Sequence, residues 1–396
     1  MEEKGLNYKM EQSKRYKGSQ IFRTLLVVLI FIGFIVLLRP YFLSYTIGEN
    51  ISLRMYILVI CLSLLGLIVA VYLQMILYTI GHLVFGLLTG YRFSSIRIGK
   101  YMWLKTKGKI RFCKLTLAGM DAQCLLCPPD LVDGKLPFVL YNLGGCIMNF
   151  ITFLLCMGLY FFGDSANYLT VFFGIMAIIG LGSALLNGIP MRTEMIYNAG
   201  YNTKVIAKSP VAMRAFWTQM KINEQTAQGV RLRDMPEEWF TLPAEEELQN
   251  SVTAAVAVFC EGRFIDAHAF EKAQQLIQWL QSSNAAVTGL HSRLLACDQA
   301  YCAFLQGDCV RGNEILQEEA QMKFMRQMCA YPSVIRTEYA AALLYDKDAA
   351  KAEQIRSRFE KAAQTYPYEG DLASERELME LVYKKAANAH DRSITP

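Results

Sequence analysis

The stretch "LYTIGHLVFGLLTGYRF", residues 77–93, closes a long apolar run and carries its one histidine, His82. No formally charged residue occurs between Met55 and Tyr91. At ~1.5 Å per residue such a run extends ~55 Å as a single helix, nearly twice the ~30 Å hydrocarbon core of a bilayer. It must tilt strongly, break at Gly66 or Gly81, or continue beyond the membrane. Tyr78 stands four residues before His82, so the two share a helix face. A lone histidine in a membrane helix is either a packed, hydrogen-bonded residue or part of a working site.

Working outward, three more segments reach spanning length: Ile21–Leu38, Leu136–Phe162 and Tyr168–Met191. The last two are separated by a few polar residues and form a hairpin. Of the 396 residues, 53% are hydrophobic and the mean hydropathy is positive. Long apolar runs fill residues 1–200, whereas most charged side chains lie beyond 203. A membrane half followed by a soluble half is expected. The net charge of +5 is too mild to indicate nucleic acid. The 11 cysteines, an odd number, are scattered through both halves and suggest reduced thiols in or facing the cytoplasm. The basic leader, residues 1–20, precedes an apolar run ending in "LLRPYF", which has no small-residue cleavage site and reads as an uncleaved anchor.

Lysine and arginine in the short loops set the expected orientation. Residues 91–120 hold eight basic side chains (Arg92, Arg97, Lys100, Lys105, Lys107, Lys109, Arg111, Lys114) and no acidic one. Arg192, Lys204 and Lys208 follow the fourth span. Four crossings with both termini in the cytoplasm fit; a break near Gly66 would give five and misplace one basic group. Within this basic segment "YMWLKTKGKIRFCKLTL" has two β-rich runs around Lys107-Gly108, which predicts a β-hairpin near 93–117 on the cytoplasmic membrane face. Its charges either fix topology only or also bind anionic lipid, each basic group adding ~1 kcal/mol of surface attraction.

The soluble half follows a linker helix and loop over 203–250 and reads as helices over 251–390. "VAVFCEGRFIDAHAFEKAQQLIQWL" (256–280) has helical periodicity around Gly262, "YCAFLQGDCVRGNEILQEEA" (301–320) repeats the design around Gly307, and residues 341–367 give a third version. The pattern resembles degenerate tetratricopeptide-type hairpins, which leave a groove for a protein partner; a plain helical bundle is the alternative. The fold class expected is therefore mainly α: a polytopic membrane core over 21–202 with a small β-hairpin, then a helical-repeat-like domain. Cys124 and Cys127 form an isolated Cys-x-x-Cys, expected to be unrelated thiols in a loop rather than half a zinc site or a redox pair.

In zinc protease helices, His-Glu-x-x-His presents two imidazoles to the metal one turn apart, and the glutamate acts as base on the bound water. Here the five positions are Tyr78-Thr79-Ile80-Gly81-His82. With the segment that follows, "IGHLVFGLLTGYRF" resembles the active-site helix of the site-2 protease family of intramembrane zinc metalloproteases. "GMDAQCLLCPPD" (119–130) resembles the loop before the next membrane helix in bacterial members. "YNLGGCIMN" (141–149) corresponds to the family's Gly-rich, asparagine-bearing turn, and "LLNGIPMRTEMIYNAGYN" (185–202) to the region ending in Asn-Asp-Gly, whose aspartate is the third zinc ligand. The resemblance covers roughly residues 51–202, with three segments in the family's order.

The departures fall on the chemistry. Tyr78 stands for the first histidine, Thr79 for the glutamate and Ala199 for the aspartate, leaving His82 alone. A phenol is a poor zinc ligand and alanine offers none; threonine cannot act as base near neutral pH, a role worth ~10²–10⁴ in rate. Glu194 is a candidate substitute ligand. The resemblance with these losses implies a pseudoprotease in a bacterial cytoplasmic membrane, with no metal expected. It would bind a single-pass membrane protein or an active protease, and its tail a cytoplasmic protein. An active enzyme with substituted zinc ligands and a membrane-anchored scaffold are the alternatives. Tyr78, His82, Asn142, Asn149, Asn187 and Asn198 are expected to form one intramembrane polar patch, either helix-packing glue or a retained binding cleft.

Overall fold

A computed structural model of the chain describes residues 2–46, 53–164 and 167–394. Four of its helices are long and apolar enough to cross a membrane: the Lys17–Pro40 part of α1 (Glu2–Thr46), the Ile57–Leu88 part of α2 (Leu53–Leu88), α3 (Phe138–Phe162) and α4 (Tyr168–Gly188). Large apolar side chains such as Leu29, Leu65, Leu155 and Phe162 remain exposed along them. Such a surface suits hydrocarbon, not water. α4 packs against the other three, and α2 and α3 run along each other.

The long second run is one unbroken helix of 36 residues. Neither Gly66 nor Gly81 breaks it, because each glycine serves as a contact point instead. A Cβ on Gly144 of α3 would lie 2.6 Å from the carbonyl oxygen of Gly81, and a Cβ on Gly81 would strike the Gly144 carbonyl in turn. Lipid tails give helices no hydrophobic drive to associate, so close backbone approach across small residues holds such pairs together. The α3–α4 hairpin is closed by Asn167, whose side chain accepts a hydrogen bond from Leu169 N at 2.9 Å and caps α4.

The segment after α2 is larger than the expected hairpin. Strands β1 (Arg92–Ile98), β2 (Tyr101–Thr106), β3 (Lys109–Lys114) and β4 (Ala122–Cys127) form an antiparallel sheet in the order β3-β2-β1-β4. The β2–β3 turn is Lys107-Gly108, both at positive φ (50° and 79°) as a two-residue I′ turn requires. One sequence expectation is corrected here. Cys124 and Cys127 are not in a loop: both are buried in β4 as free thiols. Arg97, one of the eight basic residues of the segment, is only 1% exposed and donates to the carbonyls of Gly99 and Met120.

Beyond α4 come α5 (Ala199–Ile206), α6 (Pro210–Ala227) and three short 3₁₀ turns, so the linker region is largely structured. The tail then runs α7 (Ser251–Asp266), α8 (Phe270–Ser282), α9 (Gly289–Gln306), α10 (Cys309–Gln317), α11 (Glu319–Gln327), α12 (Pro332–Ala340), a wider π segment (Ala341–Tyr345), α13 (Ala349–Ala363) and α14 (Glu369–Ile394). α7–α8, α9–α10 and α12–α13 are helix pairs, and α9 packs on both α7 and α12. Gly307 marks the second turn, in the left-handed region at φ 93°. Gly262 does not mark the first, since α7 continues through it to Asp266 and the chain reverses around His268, φ 58°.

The sheet and the tail share one core. Met102, Leu104 and Cys113 are buried in the same cluster as Tyr301, Phe324, Phe359 and Val382. Backbone bonds tie them further: Lys114 N donates to Thr365 O at 2.8 Å, and Thr106 Oγ1 to Ala227 O at 2.9 Å. The chain therefore emerges on the same side after α2 and after α4.

Candidate functional site

On α2, Gln74, Tyr78 and His82 recur every fourth residue and make one polar stripe. On α3, Tyr141, Gly145 and Asn149 do the same. The two stripes meet head to tail. His82 Nδ1 lies 2.7 Å from the Tyr141 carbonyl. A carbonyl only accepts, so Nδ1 carries the proton and Nε2 holds the lone pair. The Tyr78 ring meets His82 edge-on at 4.7 Å between centroids. It also lies where a side chain on Gly145 would go, and its hydroxyl neighbours the Cys146 thiol. Farther along, Gln74 Nε2 donates to Met176 O of α4 at 2.9 Å. A Cβ on Gly180 would come within 3.0 Å of both Gln74 Nε2 and the Asn149 backbone oxygen, so these residues converge on one point.

Asn149 is fully buried, and neither its amide nitrogen nor its oxygen has a partner; Gln74 Oε1 is likewise unpartnered. The seam thus combines satisfied polar groups at the His82 end with unsatisfied ones at the Asn149 end. The His82 end is anchored outward through Tyr141. That phenol donates to Cys124 O of β4 at 3.0 Å, and its ring stacks on Tyr91. Sequence reading missed Gln74, Tyr141 and Cys146. The four-residue spacing of Gln74 from Tyr78 was the available signal for the first.

The expected single patch divides. Tyr78, His82 and Asn149 line the α2–α3 seam. Asn142 and Asn187 donate to the carbonyls of Phe138 and Ser183 within their own helices. Asn198 lies beyond the last span. Its Oδ1 accepts from Met191 N and Tyr201 N, and its Nδ2 donates to Leu186 O and Ile189 O, so it caps α5 and fastens it to the end of α4. Thr79 is buried and its hydroxyl turns back to the Met75 carbonyl at 2.8 Å, the usual resort of a helical threonine. Ala199 opens α5, which lies against α3 and α4. Gly200 abuts the Gly188 carbonyl, and a Cβ on Gly188 would meet Cys146, so α5 approaches the seam from the Cys146 side.

The donors present do not fit a zinc ion. His82 Nε2 is one ligand, but Tyr78 offers a phenol, Thr79 is spent on its own helix and Ala199 has no donor. Glu194 is exposed, on a segment whose backbone docks on the start of α9 through Leu290 N and Met195 O. Among the described residues no three His, Cys, Asp or Glu side chains converge as a metal ion would require.

No family model, no curated protein and no solved structure matches the chain.

Proposed function

We propose that this chain is a membrane pseudoprotease of the site-2 type, which holds a membrane segment of another protein along the α2–α3 seam without cleaving it. The observation that carries the reading is the Asn149 carboxamide, buried among α2, α3 and α4 with both polar atoms unpartnered. In hydrocarbon an unsatisfied amide costs several kcal/mol. Such a group carries two N–H donors and a carbonyl acceptor, and once α4 parts from the α2–α3 pair a locally unwound helix brings matching C=O and N–H groups. Gln74 Oε1 is a second unpartnered acceptor on the facing helix α2. The resemblance in residues 51–202 supplies the framework. Tyr78, Thr79 and Ala199 supply neither a ligand cage nor a proton acceptor. The occupant is then a single-pass membrane protein or an active protease, and the helical tail recruits a partner in the cytoplasm.

The test uses the full chain in lipid vesicles with a fluorophore-labelled transmembrane peptide carrying Gly-Pro at its centre, and an all-leucine peptide as control. Energy transfer should report saturable binding of the first peptide, tighter than the second, and Asn149→Leu should remove the difference. Equal binding of both peptides overturns the reading, as does stoichiometric zinc accompanied by chelator-sensitive cleavage of the peptide.

A further inference from the structure

A cavity of about 250 Å³ lies within the tail, walled by residues of α6, α7, α9, α12 and α14. Five carboxylates line it: Glu261, Asp266, Asp298, Asp371 and Glu375. One guanidinium, Arg231, lines it with them, and it is fully engaged. It bonds Asp266 Oδ1 at 2.5 Å and reaches outward to Glu377 with the rest of its fork. A second guanidinium, Arg336, sits fully buried behind the wall. It bonds Asp298 at 2.5 Å, approaches Glu375 Oε2 at 3.4 Å and lies 4.2 Å from the Tyr301 ring centre. Asp371 accepts from the Tyr366 hydroxyl at 3.2 Å. The wall therefore carries an acidic surplus.

Glu261 presents an open acceptor on this wall. Its carboxylate is 1% exposed, lines the cavity and leaves Oε1 without a hydrogen-bond partner; Glu375 Oε2 has only the longer ion pair to Arg336 Nε at 3.4 Å, and Arg336 Nε and Nη1 make no hydrogen bond. Burial disfavours the charged carboxylate and raises its affinity for protons. Desolvation pushes Asp371 and Glu375 up to about 7 and raises Glu261 well above its ordinary value, and the Arg336 charge opposes this at Glu375 and Glu261 without cancelling it. The rest of the wall mixes aliphatic and small polar residues with three tyrosines, Tyr331, Tyr366 and Tyr368. Tyrosine faces attract ammonium and guanidinium groups.

We infer that this cavity binds an organic cation, the ammonium or guanidinium group of a small amine or of a lysine or arginine side chain, with Glu261 and Glu375 as its acceptors and the tyrosines around it. The volume admits one such head group with its stem. The inference stands apart from the reading of the α2–α3 seam.

The experiment is isothermal titration of the full chain in detergent at pH 8 with methylguanidinium chloride and n-butylammonium chloride, each against sodium chloride of equal ionic strength. The peptides acetyl-Ala-Lys-Ala-amide and acetyl-Ala-Arg-Ala-amide form the second arm. One-to-one saturable binding is expected, weakened at least tenfold in Glu261→Gln and in Glu375→Gln and unchanged in Asp130→Asn, an exposed carboxylate outside the cavity. Tighter binding of a peptide assigns the cation to a protein partner; tighter binding of the free amine assigns it to a small molecule. Glu261→Gln is nearly isosteric, and Glu375→Gln and Asp371→Asn give the same readout should it not fold. Absence of saturable binding by any of the four probes overturns the inference, and so does affinity unchanged in the folded variants.

Discussion

Arg336→Met tests whether the tail is organised around a buried charge. The guanidinium is fully buried, bonds Asp298 at 2.5 Å, approaches Glu375 at 3.4 Å and packs its face on Tyr301. Methionine fills much of the same volume but leaves two carboxylates, with Glu261 nearby, facing no cation. Removing one partner of a buried pair typically costs about 3–5 kcal/mol. For a unit of this size each kcal/mol moves the midpoint by ~2–4 °C, so a drop on the order of 10 °C is expected. The assay heats the full chain in detergent, pulses with an alkylating reagent and reads Cys297 and Cys302, both fully buried, by mass spectrometry. At pH 5 Glu375, raised to about 7 by burial, is protonated, so the deficit should shrink. Adding Asp298→Asn and Glu375→Gln should recover most of the loss at pH 8. A midpoint within 2 °C of the parent at pH 8, or a deficit independent of pH, would refute the reasoning.

Three further outcomes are expected. Asp371 and Glu375 are pushed up to about 7 by burial. The folded state thus keeps protons that the unfolded chain releases from about pH 4 upward, and stability falls as pH rises through that window, on the order of 3 kcal/mol per group. The same alkylation assay from pH 4.5 to 8 should show this decline, and Asp371→Asn should roughly halve it, leaving the Glu375 share. Gly81→Leu or Gly144→Leu forces α2 and α3 apart, costing ~1–3 kcal/mol or more; each variant should aggregate in detergent at lower temperature than Gly158→Leu, where a Cβ meets nothing within 4 Å. Tyr78→His, Thr79→Glu and Ala199→Asp together should give about one zinc per chain by elemental analysis if α5 stands where the resemblance requires, whereas the double variant lacking Ala199→Asp should bind far more weakly.

The spans were legible because a bilayer demands a length of apolar residues that little else produces. The continuity of α2 was not, because whether a glycine breaks a helix depends on what packs against it, and Gly144 lies 63 residues away. The β2–β3 turn announced itself through Lys107-Gly108; β4 did not, since "AQCLLC" sits between Gly119 and Pro128 and pairs with β1 across more than twenty residues. His82 and Tyr78 stood out by chemistry, and Asn149 by its place in a Gly-rich segment. Asn198 looked like a member of the same patch because sequence shows the amide and not its four partners. In the tail, the pattern fixed the helices and hid the buried ions. "SVIRTEYA" places Arg336 on a helix, but Asp298 and Glu375 come from α9 and α14.

The shared core of sheet and tail has a consequence for synthesis. Met102 and Leu104 leave the ribosome long before Phe359 and Val382, which complete their surroundings. At ~5–20 residues per second, the roughly 250 residues between them take on the order of ten seconds or longer to make. During that time the apolar face of a sheet already tethered to the bilayer has no cover, and its unpaired β3 edge invites wrong strands. The nascent chain should therefore depend on holding chaperones at the membrane surface, and severing the gene between the two halves should yield two insoluble products.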